Sequence, residues 1–380
     1  MLDAKDSKMR ELRQQFMGQQ KGDDAKFTAK KRHGALGDYV PKKKYTVGTL
    51  FSGIGGFCRA FAEEGFKVAW ANEQDTHACA TFRANYPDTR LIEKSITELS
   101  CIQDNLPAVD VITAGFPCQP FSVAGEKKGF DDPRGNLFFE ITRLLREFGT
   151  RRPHIVLLEN VPYLIRHDKG RTFGKLRDDL QSCGYWFSPE SYSVLNTRDH
   201  TDIPQNRERV FMAAVSTTAA DWNDFNFPEP VETTRPVREF LDLSEKQDEW
   251  CYFTRESQYL PLFEEEMKRG DPNAVFMLRR NYVRENKSNA VFTLMANMGE
   301  GGHNIPVIRD DWGIRKLTPR ECARLQGFDD AFTFPEGIPL SAKYRQIGNA
   351  VTVALVRRLA TECARILDES KAMVAEEETA

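Results

Sequence analysis

A cysteine held between two prolines is the first residue in this chain whose setting suggests chemistry. Cys118 lies in AGFPCQPFSVAG, residues 114–125, between Pro117 and Pro120. The prolines stiffen the backbone and fix where the thiol points, which a cysteine serving only as a small buried hydrophobe does not need. A carboxylate follows at Glu159, where the apolar run HIVLLENVPYL (154–164) ends. At the mouth of a buried strand, desolvation favours the protonated form, so such a group can act as an acid near neutral pH. Further on, IPQNRERVF (203–211) alternates Gln205, Arg207 and Arg209. Alternation puts them on one face of an extended segment, suited to a phosphate or a carbonyl.

A second group of residues suits a ligand rather than a reaction. LFSGIGGF (50–57) carries Gly53, Ile54, Gly55 and Gly56 where a strand gives way to a helix. Glycines let backbone approach a ligand, and the helix start offers free N–H groups. The spacing is not GxGxxG, which disfavours an NAD-dependent oxidoreductase. Glu73 ends the next apolar run, at the distance from the glycines, about 20 positions, expected of a residue that takes ribose hydroxyls. Together these favour a nucleoside ligand without a pyrophosphate. YRQIGNAV (344–351) places a Gly-Asn pair where it would open the last helix and close over that ligand.

Apolar β-rich runs at 45–52, 67–72, 109–116, 154–160, 185–196 and 209–216 must position these groups. Amphipathic stretches at 57–65, 74–85, 135–149 and 172–183 lie between them. This alternation predicts an α/β fold, a mainly parallel sheet with helices on both faces. Cys118 then falls just beyond the 109–116 run, where doubly wound sheets place ligands, and the Gly-rich, charged stretch 119–136 reads as a lid. Alternation stops near Ser216. Residues 217–317, with Pro228, Pro230, Pro236 and a Gly-rich stretch at 299–302, read as a smaller, irregular, β-containing domain. Thr318-Pro319-Arg320-Glu321 is a helix capping box. It begins a return segment (318–367) that completes the 45–216 domain and ends in a helix over about 350–367.

The chain has 380 residues, 40% hydrophobic and 29% charged, enough apolar material for a core and too much for a disordered chain. Mean hydropathy is −0.53, and no run reaches the ~18 apolar residues of a membrane helix. With a polar N-terminus, this predicts a cytoplasmic protein without membrane contact. The net charge of −3 is unevenly spread: residues 1–44 carry 12 Lys/Arg against 6 Asp/Glu, whereas residues 366–380 carry 5 acids and 1 Lys. The first stretch reads as a basic arm with a short helix near Met9–Gln19, and 368–380 as an acidic tail. The 8 cysteines form no CxxC pair, so no metal site is expected and reduced thiols are.

Taken together, the motifs resemble those of the DNA (cytosine-5)-methyltransferases, especially the bacterial restriction–modification type. LFSGIGGF is similar to the family's first S-adenosylmethionine motif, GFPCQPFS to its nucleophile motif and ENV to its catalytic Glu motif. QNRER is similar to the substrate-arginine motif, RKLTPRECARLQGF to the segment after the recognition module, and YRQIGNAV to the closing cofactor motif. Their order matches, and the resemblance runs from about Thr46 to Leu367. Two positions depart from the pattern: Ser95 stands where the family usually has an adenine-binding Asp, and Gln74 where Trp often follows the ribose-binding Glu.

The resemblance implies a Rossmann-like S-adenosylmethionine-dependent sheet and transfer of methyl to carbon 5 of a flipped cytosine in double-stranded DNA, leaving S-adenosylhomocysteine. Cys118 would add at carbon 6, Glu159 would act at ring nitrogen 3, Arg209 would contact the base carbonyl and Arg207 a phosphate or the base, with Gln205 beside them. Phe51, Gly53, Ile54, Gly55, Gly56, Glu73, Ile96, Pro117, Leu137, Asn349 and Val351 would hold the cofactor. Sequence choice would lie in 217–317 through Arg279, Arg280, Tyr282, Arg284, Thr293, Gly301, Gly302, His303 and Asn304, aided by Gln119 and Ser122. Arginine reads guanine in a bidentate way, and glycines admit the backbone to the groove. The 279–308 stretch is similar to modules for CC(N/W)GG-type sites. A monomer acting on DNA, with a cognate restriction endonuclease for the same site, completes the expectation. The alternatives are an RNA cytosine-5 methyltransferase on the same scaffold and a DNA-binding, autoregulatory protein.

Overall fold

A computed structural model describes residues 44–117, 137–218, 225–232, 234–279, 282–298 and 304–377. The expected arm, its helix near Met9–Gln19 and the expected lid lie outside the described residues, as do Cys118, Gln119, Ser122, Arg280, Gly301, Gly302 and His303.

The first half alternates as its pattern predicts. It runs β1 (Thr46–Leu50), α1 (Gly56–Glu63), β2 (Lys67–Glu73), α2 (Thr76–Asn85), β3 (Leu91–Glu93), β4 (Val111–Gly115), α3 (Leu137–Phe148), β5 (Ile155–Asn160), α4 (Arg171–Ser182), β6 (Tyr185–Trp186) and β7 (Tyr192–Asn196). After these come β8 (Gln205–Asn206) and β9 (Glu208–Ser216). The main sheet has the order β3-β2-β1-β4-β5-β9-β6, with β7 also pairing β9. Pairs from β3 to β5 are parallel, whereas β9 runs antiparallel to β5, β6 and β7. Two strand readings change. Leu91–Glu93 is too short for a period to show, and the 185–196 run is broken by a 3-10 turn at Pro189–Ser191.

Both faces of this sheet are covered, so its strands read as continuous apolar runs. In β5, Ile155 and Leu157 join one apolar layer and Val156 and Leu158 the other, as the period of two requires.

The second half contains β10 (Phe276–Arg279), β11 (Tyr282–Glu285), β12 (Val291–Phe292), β13 (Pro306–Arg309) and β14 (Ile314–Lys316). A separate four-stranded sheet has the order β11-β10-β13-β14, and β12 pairs in parallel with β8. Helix α5 (Leu260–Arg269) packs on the four-stranded sheet through Phe263 and Met267. The capping box forms as its residues dictate: Thr318 Oγ1 accepts from Glu321 N at 3.2 Å, and Glu321 Oε2 accepts from Thr318 N at 2.7 Å. It starts the short helix α6 (Pro319–Arg324).

The last helical region corrects the expectation. Gly348-Asn349 closes α7 (Leu340–Asn349) rather than opening the final helix, and α8 spans Val353–Glu377. It therefore runs into the stretch expected to be a frayed tail, as far as residue 377. Among the described residues no helix is long and apolar enough to cross a membrane.

Candidate active site

The ends of β1, β2, β4 and β5 face the same edge of the sheet because these strands are parallel. Order reverses between β1 and β4, the position where open α/β sheets bind ligands beyond the strand ends. Residues 51–56 leave β1 there, Glu73 ends β2, the chain toward Cys118 leaves β4, and Glu159 lies near the end of β5.

The glycine-bearing turn is tightly determined. Phe51, Gly53 and Gly55 all have positive φ, at 53°, 54° and 88°. Gly53 N donates to Glu73 Oε2 at 2.8 Å, while Gln74 N and Asp75 N each donate to Glu73 Oε1 at 2.8 Å. Three of the carboxylate's roughly four acceptor positions are therefore taken by backbone. One remains open for a ribose hydroxyl. Gln74, the first departure from the motif pattern, contributes through its backbone. Ser95, the second, caps the turn at 96–98 by accepting from Thr97 N at 3.3 Å.

A nucleoside fits this turn. A Cβ on Gly53 would meet nothing within 4 Å, leaving a bay beside the backbone. Ser52 Oγ is buried in this turn without a hydrogen-bond partner among the described residues. Ile96 is buried in the apolar layer against which Phe51 and Leu137 pack. Ile54 is buried in the opposite apolar layer, which also contains Val351. Gly56 approaches Val351 so closely that a Cβ would lie 2.9 Å from its Cγ2. Asn349 is exposed, and Pro117 is half-buried at the end of the described segment. Tyr86 is a residue the motifs did not reveal: its hydroxyl donates to Gly55 O at 3.1 Å and seats the turn from below.

On the reactive side, Glu159 is only 8% exposed. The lone desolvated carboxylate expected from sequence is instead an ion pair, with Arg209 Nε 2.9 Å from Oε1. Among the described residues Oε1 makes no aligned hydrogen bond, so the contact with Arg209 is charge against charge. A Cβ on Gly115, at the end of β4, would lie 3.4 Å from Glu159 Oε2. The carboxylate thus stands at the root of the segment leading to Cys118. Asn160, also unassigned from sequence, donates from Nδ2 to Phe116 O at 3.1 Å and anchors that segment.

Gln205, Arg207 and Arg209 do not share one open face. Gln205 and Arg207 are buried, at 0% and 2% exposure. Arg207 donates from Nη1 to Leu294 O at 2.9 Å and from Nη2 to Gly348 O at 3.1 Å and Ala350 O at 2.7 Å. Burial first, and then the nearby Arg209 charge, push its pKa well below the ordinary arginine value. Its two Nη groups donate to backbone carbonyls, while its buried Nε has no hydrogen-bond partner among the described residues. Gln205 Nε2 likewise donates to Leu325 O at 2.7 Å. Arg209 is the member of the trio that faces the site.

The described members of the expected recognition set do converge. Arg279, Tyr282, Arg284 and Thr293 line one open cleft of about 630 Å³, together with Asn206 and Lys287. Arg279 Nη1 donates to Asn304 Oδ1 at 3.0 Å, Arg284 lies over the Phe292 ring at 5.3 Å, and Tyr282 is 56% exposed. Glu266 and Glu285 also line the cleft, so its walls carry both signs of charge. Thr293 Oγ1 donates to Asn206 O at 2.6 Å, joining the cleft wall to the QNRER segment.

The description "C-5 cytosine-specific DNA methylase" matches residues 45–365. The chain is 42% identical over 318 residues to the type II methyltransferase M.Bsp6I of Bacillus sp. (strain RFL6), covering 83% of this chain and 96% of that protein. It is 34% identical over 332 residues to M.DsaV of Dactylococcopsis salina, covering 87% and 88%. Among solved structures, S. pombe Dnmt2 methyltransferase superposes with a TM-score of 0.64 at 20% identity, covering 86% of this chain and 99% of that one. A putative DNA modification methyltransferase encoded within an E. coli prophage superposes with a TM-score of 0.60 at 22% identity, covering 86% and 100%.

Proposed function

The chain belongs to the C-5 cytosine-specific DNA methylase family, and from that premise we propose that it methylates one cytosine within a specific double-stranded DNA site through a covalent Cys118 adduct. The observation that carries this reading is the Glu159–Arg209 pair at the root of the Cys118 segment.

Carbon 5 of cytosine is a weak nucleophile. Addition of the Cys118 thiolate to carbon 6 moves the ring electrons toward carbon 5. Glu159, oriented by Arg209, must carry a proton at this step, which it donates to ring nitrogen 3 to stabilise the charge that develops. S-adenosylmethionine, when bound, supplies an electrophilic methyl group. Glu73, Ser52 and the turn at Gly53–Gly56 are the residues that would hold its nucleoside part. After transfer, carbon 5 gives its proton to water, the electrons of that bond re-form the ring double bond as Cys118 leaves as thiolate, and ring nitrogen 3 returns its proton to Glu159. Stacking hides carbon 6 in a duplex, so the base must flip out, at a cost of a few kcal/mol.

We assign sequence choice to the 217–317 region, with the cleft of Arg279, Tyr282, Arg284 and Thr293 as its reading surface. Arg279, Arg284 and Lys287 can face phosphates from a cleft that Glu266 and Glu285 also line, and Tyr282 offers an exposed ring to a base or sugar. The similarity to type II methyltransferases favours a monomer acting on cytoplasmic DNA, paired with an endonuclease of the same specificity.

The test incubates the chain with labelled S-adenosylmethionine and mixed-sequence duplex DNA, beside a duplex carrying 5-fluorocytosine. The expected result is label on DNA and a trapped adduct that maps to Cys118 and disappears in Cys118→Ser. Label on RNA alone overturns the DNA substrate. DNA binding without transfer to either overturns the catalytic reading in favour of a regulator.

A further inference from the structure

Between the cofactor turn and the cleft lies a buried set of polar side chains that no chemical step uses. At its centre is Gln326, fully buried. Its Nε2 donates to Ile347 O at 2.8 Å and to Ala350 O at 3.1 Å. Its Oε1 accepts from Gln205 Nε2 at 3.1 Å and from Thr352 Oγ1 at 3.0 Å. Both donors and both acceptor positions of this amide are therefore used. Such saturation fixes its orientation and makes each neighbour depend on the others.

Each end of this set reaches a different functional surface. On one side, residues 347–352 carry Val351, which packs against Gly56 of the cofactor turn. On the other, Leu294 stands between the cleft-lining residues Thr293 and Met295. Its backbone is held at both polar atoms: Leu294 N donates to Gln205 Oε1 at 3.2 Å, and Leu294 O accepts from Arg207 Nη1. Arg207 and Gln326 share the Ala350 carbonyl. Gly348 closes the circuit sterically, since a Cβ there would lie 2.3 Å from Ala296 N and from Met295 C. The cleft wall cannot shift relative to residues 347–352 without breaking buried hydrogen bonds or pressing on Gly348.

We propose that Gln326 is a positioning residue that keeps residues 347–352 in register with the Gln205–Arg207 segment and the cleft wall, so that the cofactor seat and the cleft are energetically linked. The proposal rests on the function proposed above, in that it needs S-adenosylhomocysteine and DNA to be ligands of these two places. Linkage is reciprocal: DNA that settles the cleft tightens cofactor binding by the factor through which cofactor tightens DNA binding.

The test measures S-adenosylhomocysteine affinity of the full chain by calorimetry, alone and with a saturating duplex that the wild-type chain methylates. Thermal unfolding is followed in parallel. In wild type the duplex is expected to tighten binding. Gln326→Met keeps the volume and removes every hydrogen bond. It is expected to weaken binding to the free chain about tenfold, the effect of roughly one net buried hydrogen bond. It should also reduce the tightening by duplex to less than twofold. Thr352→Val removes one of the four bonds together with the Thr197–Thr352 hydroxyl contact and is expected to give smaller losses of the same kind, which covers the case in which Gln326→Met does not fold. Affinity and tightening both within twofold of wild type, in whichever variant folds, overturn the proposal even if the unfolding midpoint drops. Absence of tightening in wild type also overturns it. A wild-type chain that does not bind S-adenosylhomocysteine at all overturns the proposed function instead.

Discussion

Replacing Arg207 with methionine asks whether the buried arginine of QNRER serves substrate or scaffold. The substitution removes N–H donors from Leu294 O, Gly348 O and Ala350 O. Ala350 O keeps Gln326 Nε2, so two carbonyls lose donors without that replacement. A buried polar group that loses its partner costs ~1–3 kcal/mol. Removing a buried charge returns part of this, which leaves a loss of about 2–4 kcal/mol. That is a large share of the ~5–15 kcal/mol by which domains are stable. Urea unfolding followed by tryptophan fluorescence reads the loss as a lower midpoint with an unchanged slope. Arg207→Lys should fall between wild type and Arg207→Met, because an ammonium lacks the planar fork that spans two segments. A phosphate contact predicts the opposite pattern, with normal stability and weaker, less salt-dependent DNA binding. A change in stability below about 0.5 kcal/mol, with lowered DNA affinity, would refute the scaffold assignment.

Three other outcomes are expected. Glu159→Gln should lower kcat by about 10²–10⁴-fold while S-adenosylhomocysteine affinity stays within twofold, since its contacts are to Arg209 and the Cys118 root; single-turnover kinetics beside calorimetry check this. Gly348→Ala should destabilise by about 1–3 kcal/mol despite alanine's better helix propensity, because the new Cβ meets backbone at 2.3 Å; an unchanged thermal midpoint would remove the close approach. Glu147 has a pKa below its ordinary value: burial alone would raise it, but the Cys101 N–H and Arg143 outweigh burial. A depressed folded pKa stabilises above the unfolded value, ~4.3, and that contribution is lost as pH falls through the folded value. Glu147→Gln should therefore destabilise at neutral pH and flatten the acid side of the stability profile.

Much of the proposed site was legible in sequence because it sits in short segments whose residue types have few other uses. The glycine turn, the acidic ends of β2 and β5, the cysteine between prolines and the Thr318 capping box are local patterns. The strands they terminate follow from hydrophobic periodicity over 5 to 9 residues in β1, β2, β4, β5 and β9. Their order alone suffices to bring the strand ends to one edge, since parallel strands must all end there. What periodicity could not carry was the fate of individual polar side chains. Alternation put Gln205, Arg207 and Arg209 on a common face, yet that face is split. Gln205 is taken up by Leu294, Leu325 and Gln326, and Arg207 by Leu294, Gly348 and Ala350, all more than 85 residues later in the chain, while β9 delivers Arg209 to Glu159. Gln326, within ARLQGF, has no distinguishing neighbour in sequence; its four partners come from positions 205, 347, 350 and 352. Likewise Glu73 looks in sequence like a ribose ligand with both oxygens open, and only the fold reveals that backbone N–H groups already occupy most of it. Local sequence thus determined which reactive groups exist and which strand ends carry them. Tertiary structure decided which of them face a substrate, because burial and the pairing of polar groups depend on segments distant in the chain.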